Sequence, residues 1–211
     1  MRDIYLYPHT DVLKNKLNIT DARLLEEAEA NYVSMRLREL VKEPLPGEFD
    51  YTHFMNMHEY IFQDIYEWAG QPRKLNIFKE EPVLGGLSVE YADVFDIVRD
   101  VVEVLQRLNS RAWRDYDFDT LVKLFSCDVA ALWKIHPFRE GNTRTVITFC
   151  CQYANEHGFP INRQIFEDNS EYVRTALVAY NAVFHDLGDR SKPEYLETVM
   201  RDSLKSIRKM L

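Results

Sequence analysis

The 211-residue sequence has few turn-forming residues, with only 7 glycines and 8 prolines. Its three cysteines, Cys127, Cys150 and Cys151, are an odd number in apolar runs, so we interpret them as reduced, buried side chains of a cytosolic protein. No secretory signal opens the chain, and no apolar stretch reaches the roughly 18 residues that a membrane helix needs. These absences argue against a sandwich of short strands, a disulfide scaffold and a membrane protein.

Positive charge is also in short supply, because 26 Lys and Arg stand against 34 Asp and Glu, a formal net charge of −8. Proteins that coat nucleic acid carry an excess of Lys and Arg to displace counterions, so the composition excludes that class. A local basic pocket for one nucleotide remains compatible with it. We expect a cytoplasmic protein without membrane or nucleic-acid partners, and leave export as an effector open.

Large apolar and aromatic side chains are abundant, with 12 Tyr, 12 Phe and 3 Trp, and 46% of the residues are hydrophobic. Apolar residues recur at helical spacing along most of the chain. The pattern therefore predicts an all-α helical bundle formed by a single domain. After an extended arm at 1–10, we predict helices at about 12–16, 21–43, 50–69, 88–108, 117–135, 143–157, 170–185 and 193–210.

One segment, 71–87, breaks this rhythm. Leu75 and Ile77 alternate with Asn76 and Phe78, and Gly85 and Gly86 can make a tight turn. We predict a short β-hairpin or an irregular flap here, and no other β structure. The predicted domain has its core at about 50–190, an N-terminal arm and helix at 1–45, and a C-terminal helix at about 192–210.

The run Ile135–Thr145 holds the polar groups that point to chemistry. It lies between two strongly apolar helices, yet it contains His136, Glu140 and Arg144. Burying such groups without partners costs several kcal/mol, roughly 2–7 for a polar group, so they should line a cavity. Taken singly, a His before Pro is usually an ordinary group at a helix end, and a Glu-Gly-Asn is usually a turn. Their joint occurrence favours a site.

The same run predicts an anion site at the start of a helix. Pro137 ends the preceding helix, while Gly141 and Asn142 can take positive φ and turn successive N–H groups inward. A helix N-terminus favours phosphate, and Arg144 in its first turn can add a charged bond. Glu140 is placed to hold Mg²⁺ between phosphates, and His136 is the obvious proton acceptor. We predict a nucleotide-phosphate site with a general base.

This run resembles the signature of the Fic family, His-x-Phe-x-Asp/Glu-Gly-Asn-Gly-Arg-x-x-Arg. The segment His58–Arg73 is similar to the helix that precedes the flap in that family, and Tyr7–Thr10 with Leu13–Lys16 is similar to the start of many members. The signature positions that match are His136, Phe138, Glu140, Gly141, Asn142 and Arg144.

The resemblance implies an all-α protein adenylyltransferase that transfers AMP from ATP to a Ser, Thr or Tyr hydroxyl of a target protein. His136 would deprotonate that hydroxyl, Phe138 would pin the loop to the core, and Glu140 would bind Mg²⁺. Arg144 would hold the β-phosphate. The phosphate cradle would be Gly141, Asn142 and Thr143, and the flap that aligns the target by strand-like pairing would be Asn76, Ile77, Phe78 and Lys79.

Two departures from the signature keep alternatives open. Thr143 stands at the second glycine, and Ile147 replaces the final arginine, which steadies the γ-phosphate in the family. Arg139 is near in sequence, but no replacement can be named. A phosphotransferase or another nucleotide-donor transfer, or an impaired nucleotide-binding and interaction module, are the alternative functions.

The resemblance also bears on regulation. Many family members carry an inhibitory helix with Ser/Thr-x-x-x-Glu-Gly/Asn, but no Ser or Thr here has Glu four residues later. We therefore expect no intramolecular brake of that type. A small antitoxin acting in trans is a possible partner, although Ile147 removes the expected contact for its Glu.

Overall fold

The chain folds as a bundle of α-helices in a computed structural model that describes residues 3–208, with side chains through Lys205. Within those residues there are eight α-helices and one two-stranded antiparallel hairpin, which confirms the all-α prediction. The elements are α1 Ala22–Lys42, α2 Tyr51–Phe62, α3 Ile97–Asn109, α4 Phe118–Ile135, α5 Asn142–Glu156, α6 Arg163–Asp168, α7 Ser170–Tyr180, β1 Val183–Phe184, β2 Gly188–Asp189 and α8 Pro193–Arg208.

Three of the helices begin at an aspartate that caps them. The side chains of Asp21, Asp50 and Asp117 each accept a hydrogen bond from the backbone N–H three residues later. Such a cap satisfies one of the four N–H groups that have no partner inside the helix. The predicted starts of α1, α2 and α4 are confirmed.

Helices α4 and α5 occupy the middle of the bundle. Helix α4 packs against α3, α5, α7 and α8, and α5 packs against α2 as well. Both helices are apolar on most of their faces, as expected for helices surrounded by others. The loop between them is therefore fixed at both ends by the core. The fully buried aromatic side chains of this core include Phe54, Phe62, Phe125, Trp133, Phe138, Phe149 and Tyr153.

The structure corrects the predicted β structure and the ends of two helices. Helix α2 stops at Phe62, not near residue 69 as predicted. The segment 71–87 is the irregular alternative, with a short 3₁₀ turn at Pro82–Leu84 and no strand among its residues. The hairpin instead joins β1 and β2, where the predicted helix 170–185 would have continued. Helix α7 ends at Tyr180, because the Asn181 side chain donates to the backbone oxygens of Ala130 and Leu177 and the chain turns there.

The helix predicted from Ser88 begins only at Ile97. Residues 88–96 form tertiary bonds instead. The backbone oxygen of Ala92 accepts a bond from Arg73, and the side chain of Asn76 bonds Asp93 and the N–H of Val94, each at 2.8 Å. These contacts hold the segment against the flap and occupy the C=O of Ala92 and the N–H of Val94.

The N-terminal arm also differs from the prediction. No helix forms at 12–16; Leu6 and Leu13 make an antiparallel bridge, and the N–H of Lys14 donates to the oxygen of Tyr5 at 2.7 Å. The ends of the predicted arm and terminal helix, 1–2 and 209–211, lie outside the described residues. In the part that is described, no helix combines the length and apolarity that a membrane crossing requires.

Candidate functional site

His136 is the residue at which α4 ends and the loop begins. It adopts a left-handed conformation, φ 51°, and the following Pro137 disfavours the right-handed helical region at this position. Its imidazole is 3% exposed and packs on the ring of Tyr91 at 4.2 Å. Nδ1 donates a long bond of 3.4 Å to the oxygen of Trp133, and Nε2 has no partner among the described residues.

The electrostatic surroundings keep this imidazole neutral. Burial is the largest cause, because a charged ring in an apolar setting loses its hydration, and the positive charge of Lys79 acts in the same direction. Together they lower the pKa of His136 well below its ordinary value. A neutral ring with a proton on Nδ1 leaves the Nε2 lone pair free to accept a proton.

Arg73 fixes the backbone of this loop from below. The backbone N–H of Arg73 donates to the backbone oxygen of Pro137 at 2.7 Å, and its side-chain Nε donates to the backbone oxygen of His136 at 2.9 Å. The rest of the guanidinium bonds the oxygens of Leu75 and Ala92, so one 2% exposed side chain joins the loop to the flap. Sequence reasoning missed this role, because a buried arginine has no local pattern and its partners are distant.

The centre of the loop is held by two side chains. Asn142 receives the N–H of Phe138 and donates back to its oxygen, at 2.9 and 2.8 Å. His58 stacks on the Phe138 ring at 3.7 Å and donates from Nε2 to the oxygen of Glu140 at 3.0 Å. The N–H of Gly70 donates to His58 Nδ1, which fixes the neutral tautomer, and burial lowers the pKa of His58 to about 3.

The start of α5 is an open helix N-terminus at the place where the sequence predicts an anion site. Gly141 has φ 83°, and a Cβ there would overlap the ring of Phe62, so only glycine fits. Asn142 is the first helical residue and does not take the predicted positive φ, because its side chain braces the loop. No side chain among residues 3–205 caps α5, so its first N–H groups stay available. The hydroxyl of Thr143 accepts a 2.8 Å bond from Trp133 Nε1.

At the start of α5 lies a cavity of about 200 Å³, where one carboxylate meets three cationic side chains. The carboxylate of Glu140 lies 3.6 Å from Lys79 Nζ and 3.8 Å from Arg144 Nη2, and it accepts the N–H of Gly141. Burial alone would raise the pKa of Glu140, but Lys79, the N–H of Gly141 and Arg144 outweigh it and lower that pKa. The residues around the cavity are Lys79, His136, Glu140, Gly141, Asn142, Thr143, Arg144 and Arg174.

Arg144 is oriented by residues outside the predicted site. Its Nη2 is 2.6 Å from Oε1 of Glu29 on α1, and its guanidinium lies 4.8 Å from the centre of the Phe62 ring. The other oxygen of Glu29 accepts the hydroxyl of Tyr66. Sequence reasoning could not find Glu29, because it lies 115 residues from its partner.

The described residues contain no group of three or more His, Cys, Asp or Glu side chains arranged to hold a metal ion. Glu140 is the carboxylate that borders the cavity. Mg²⁺ commonly uses one or two carboxylates and completes its shell with water and substrate phosphates. The single carboxylate beside an anion site therefore fits Mg²⁺ brought together with a nucleotide.

The predicted flap residues divide between two places. Lys79 reaches the 200 Å³ cavity, whereas Ile77 and Phe78 line a separate groove of about 500 Å³ whose other wall includes Tyr91 and Phe184. Phe78 is 69% exposed. Asn76 also borders that groove, but its side chain is engaged by Arg73, Asp93 and the N–H of Val94.

Comparison with known sequences gives a consistent result. Residues 48–154 match the family model described as the Fic/DOC family. The chain is 32% identical over 169 residues to the probable protein adenylyltransferase y4lH of Sinorhizobium fredii, covering 79% of this chain and 83% of the relative. It is 31% identical over 178 residues to the protein adenylyltransferase VbhT of Bartonella schoenbuchensis, covering 84% of this chain but only 36% of VbhT.

Solved structures agree on the fold. The N-terminal Fic domain of a VirB-translocated Bep effector protein from Bartonella quintana superimposes with a TM-score of 0.75 and 26% identity, covering 98% of this chain and 95% of that one. The corresponding domain from Bartonella sp. AR 15-3 gives a TM-score of 0.80 at 22% identity, covering 98% and 93%. The second likeness shows the fold alone.

Proposed function

Because this chain belongs to the Fic/DOC family, we propose that it is a protein adenylyltransferase that moves AMP from ATP to a hydroxyl side chain of a target protein. The observation that carries the proposal is the buried, unpartnered Nε2 of His136 in the same small cavity as the open N-terminus of α5. A proton acceptor beside a phosphate site is what transfer to a hydroxyl requires.

In the proposed reaction the target hydroxyl attacks the α-phosphorus of ATP. A bond forms between that oxygen and the α-phosphorus, the bond to the oxygen bridging the α- and β-phosphates breaks, and pyrophosphate leaves. His136 Nε2 accepts the hydroxyl proton. The first N–H groups of α5 at Asn142, Thr143 and Arg144 hold the phosphate oxygens, and the Arg144 guanidinium stabilises the charge that develops on the leaving group.

Mg²⁺ is the proposed cofactor, held by Glu140, and when bound it would neutralise part of the phosphate charge. Lys79 is 3.6 Å from this carboxylate and keeps it ionised and oriented towards the cavity. The proposal for the cofactor rests on the donor set alone, one carboxylate beside an anion site.

The groove beside the flap is the proposed docking place for the target segment. Ile77 and Phe78 offer an apolar wall, and main-chain pairing along an extended edge would align the target hydroxyl with His136. Asn76 supports the backbone of that edge through its bonds to Asp93 and Val94. Lys79, at the end of the edge, joins docking to the phosphate cavity.

The wider setting is also a proposal. We propose one domain from the N-terminal arm to α8, because Asp3 binds Arg139 of the loop and Glu29 of α1 binds Arg144. A small antitoxin remains a proposed partner, since a cavity of about 740 Å³ lined by Val33, Ile147 and other side chains lies open next to Arg144. The cytoplasmic location and later export stay predictions.

One observation favours a second candidate, a nucleotide-binding module without turnover. The final arginine of the signature is Ile147, which faces the apolar 740 Å³ cavity and offers no charge to a phosphate. Such a module would bind ATP and yield no product. The ionisable groups of the first candidate, His136, Glu140 and Arg144, are nevertheless all retained.

The test is incubation of the protein with labelled ATP, Mg²⁺ and candidate lysates, compared with His136→Ala. We expect label on a target with wild type and a loss of about 10²-fold or more with the variant. The added mass distinguishes AMP from phosphate, and thus an adenylyltransferase from a phosphotransferase. Equal labelling by both proteins would refute the role of His136, and ATP binding without any product would favour the module.

A further inference from the structure

The two obvious sources of a second phosphate-binding arginine are absent from the cavity. Position 147, where the signature ends in arginine, holds Ile147, which lines the larger apolar cavity. Arg139 is the neighbour of Glu140 in sequence, but two of its nitrogens lie 2.9 Å from Asp3 Oδ2. It therefore holds the N-terminal arm. If the signature residues were the whole site, Arg144 would be its only arginine.

The structure brings another guanidinium to the same cavity, that of Arg174 on α7. This side chain lines the 200 Å³ space together with His136, Glu140 and Arg144, although it is 30 or more residues from each of them. Its charge acts there as well: burial, Lys79 and Arg73 are larger causes, but Arg174 also contributes to the lowered pKa of His136. Arg174 therefore lies within electrostatic reach of any phosphate at the start of α5.

Glu81 of the flap fixes the position of this guanidinium. Nη1 and Nη2 of Arg174 donate to Oε2 and Oε1 of Glu81, each at 2.8 Å, in the parallel fork geometry. Glu81 is only 1% exposed, and its backbone is held by bonds to Leu87 and Gly86. A buried carboxylate at a fixed turn cannot follow a moving partner, so Arg174 has one preferred place.

This fork leaves donors for a ligand. A guanidinium carries five N–H donors, and Glu81 uses two of them, one on each terminal nitrogen. The remaining N–H groups can bind a phosphate oxygen while the pair with Glu81 stays intact. Arginine is suited to such sharing, because its charge is delocalised and it is always protonated.

We propose that Arg174, held by Glu81, is the second arginine of the phosphate site, beside Arg144, and supplies the charge absent at Ile147. The inference rests on the proposed function for the identity of the ligand, ATP. It adds a donor-binding residue that the signature does not contain, and a positioning residue, Glu81, that ties the flap to α7.

The experiment measures Mg²⁺–ATP and AMP binding by calorimetry for wild type, Glu81→Gln and the double variant Arg174→Gln/Glu81→Gln. The double variant removes both charges together, so no buried carboxylate is left without a partner. Arg23→Gln/Glu27→Gln is the matched control, since it removes a pair at 3.0 Å on the exposed face of α1 with the same change in charge. Transfer of AMP is assayed in parallel.

We expect the double variant to lose about tenfold in ATP affinity and much less in AMP affinity, because the lost contacts are charge-assisted bonds to the outer phosphates. Glu81→Gln keeps the guanidinium and should bind ATP within about threefold of wild type, a difference below about 1 kcal/mol. The control pair should behave as wild type. If the double variant does not fold, Arg174→Met/Glu81→Met provides the same comparison with an apolar pair.

Unchanged ATP affinity in the double variant would overturn the proposal. An equal loss for ATP and AMP would also overturn it, because that result indicates a disturbed flap and not lost contacts to the outer phosphates. A wild-type protein that binds no ATP refutes both proposals. Wild type that binds ATP but transfers no AMP refutes only the proposed function, since the affinities still report on Arg174.

Discussion

The backbone oxygen of His136 accepts a 2.9 Å hydrogen bond from Nε of Arg73, a residue 63 positions earlier in the chain. The same guanidinium bonds Leu75, Asn76 and Ala92, and the backbone N–H of Arg73 bonds Pro137. The left-handed turn at His136 is thus held by a buried side chain from another part of the fold. The Arg73 side chain therefore links the flap to the backbone of the proposed general base.

Replacing Arg73 should therefore damage both stability and activity. In Arg73→Gln the oxygens of His136 and Ala92 lose their donor in a buried setting, which should lower the free energy of unfolding by about 3 kcal/mol or more. Arg73→Lys keeps the charge without the fork and should lie between wild type and Arg73→Gln. Urea unfolding together with AMP transfer measures both effects. A Gln variant as stable as wild type would show that these bonds are dispensable.

Gly141 should tolerate no side chain. Gly141→Ala adds a Cβ that overlaps the Phe62 ring at a position with φ 83°, and we expect a loss of about 3 kcal/mol or more in unfolding free energy. Gly158 is the matched control, because it has the same φ of 83° but nothing within 4 Å of the added Cβ. Gly158→Ala should lose only about 1–2 kcal/mol of left-handed strain. Equal losses in denaturant unfolding would contradict the role of Phe62.

Thr143 should be a stabilising departure from the signature. Its hydroxyl accepts the Trp133 Nε1–H at 2.8 Å, so Thr143→Val should cost about 1–3 kcal/mol by leaving the indole donor unpaired. Thr143→Ser keeps the hydroxyl and should stay within about 1 kcal/mol of wild type. Comparing the thermal unfolding of Thr143→Val and Thr143→Ser separates the contribution of the hydroxyl to stability from that of the methyl group. A Ser variant as unstable as Val would assign the effect to packing.

Activity should persist below the ordinary pKa of histidine. Since burial lowers the pKa of His136, its neutral form, the one that accepts a proton, remains populated as the pH falls below 6.5. The acid limb of kcat/KM should therefore lie below pH 6.5. The measurement is the pH profile of AMP transfer by the wild-type protein. The variant His185→Asn, which changes an exposed histidine, is the control and should give the same profile. Half-maximal activity at or above pH 6.5 would contradict this prediction.

Lowering the pH should reduce the stability of the protein over a range set by the pKa of His58. Burial lowers the pKa of His58 to about 3, whereas an unfolded histidine titrates near 6.5, so below pH 6.5 the unfolded state binds a proton that the folded state refuses. The contribution is fully present above 6.5 and is lost towards pH 3, at about 1.4 kcal/mol per pH unit for one such group. Urea midpoints at pH 7.5, 6 and 5 measure it. A flat profile over this range would be inconsistent with a buried neutral His58.

The local patterns predicted most helices because they depend on nearby residues. Asp21, Asp50 and Asp117 cap helices through the next turn, and such short-range bonds can be read from sequence. The errors occur where distant contacts win. Residues 88–96 look helical by spacing, but Arg73 and Asn76 bind their backbone at Ala92 and Val94.

The candidate site likewise has a part that could be predicted from the sequence and a part that could not. The run from His136 to Arg144 is contiguous, so its residues could be named before the fold was known, and Gly141 could be assigned its bend. Its departures at Thr143 and Ile147 were also visible, but their consequences were not. Thr143 turned out to have a partner in Trp133, and Ile147 to face a different cavity.

The sequence by itself determined the helical class, the family signature and the acidic overall charge, because these depend on composition and on neighbours along the chain. Only the tertiary structure decided which charges meet the loop. Glu29 on α1, Arg73 in the segment after α2 and Arg174 on α7 lie far apart in the chain. Their side chains reach the loop because α1 packs on α2, α2 packs on α5, and α7 packs on α4. Electrostatic contacts depend on distance in space, which spacing in sequence does not report.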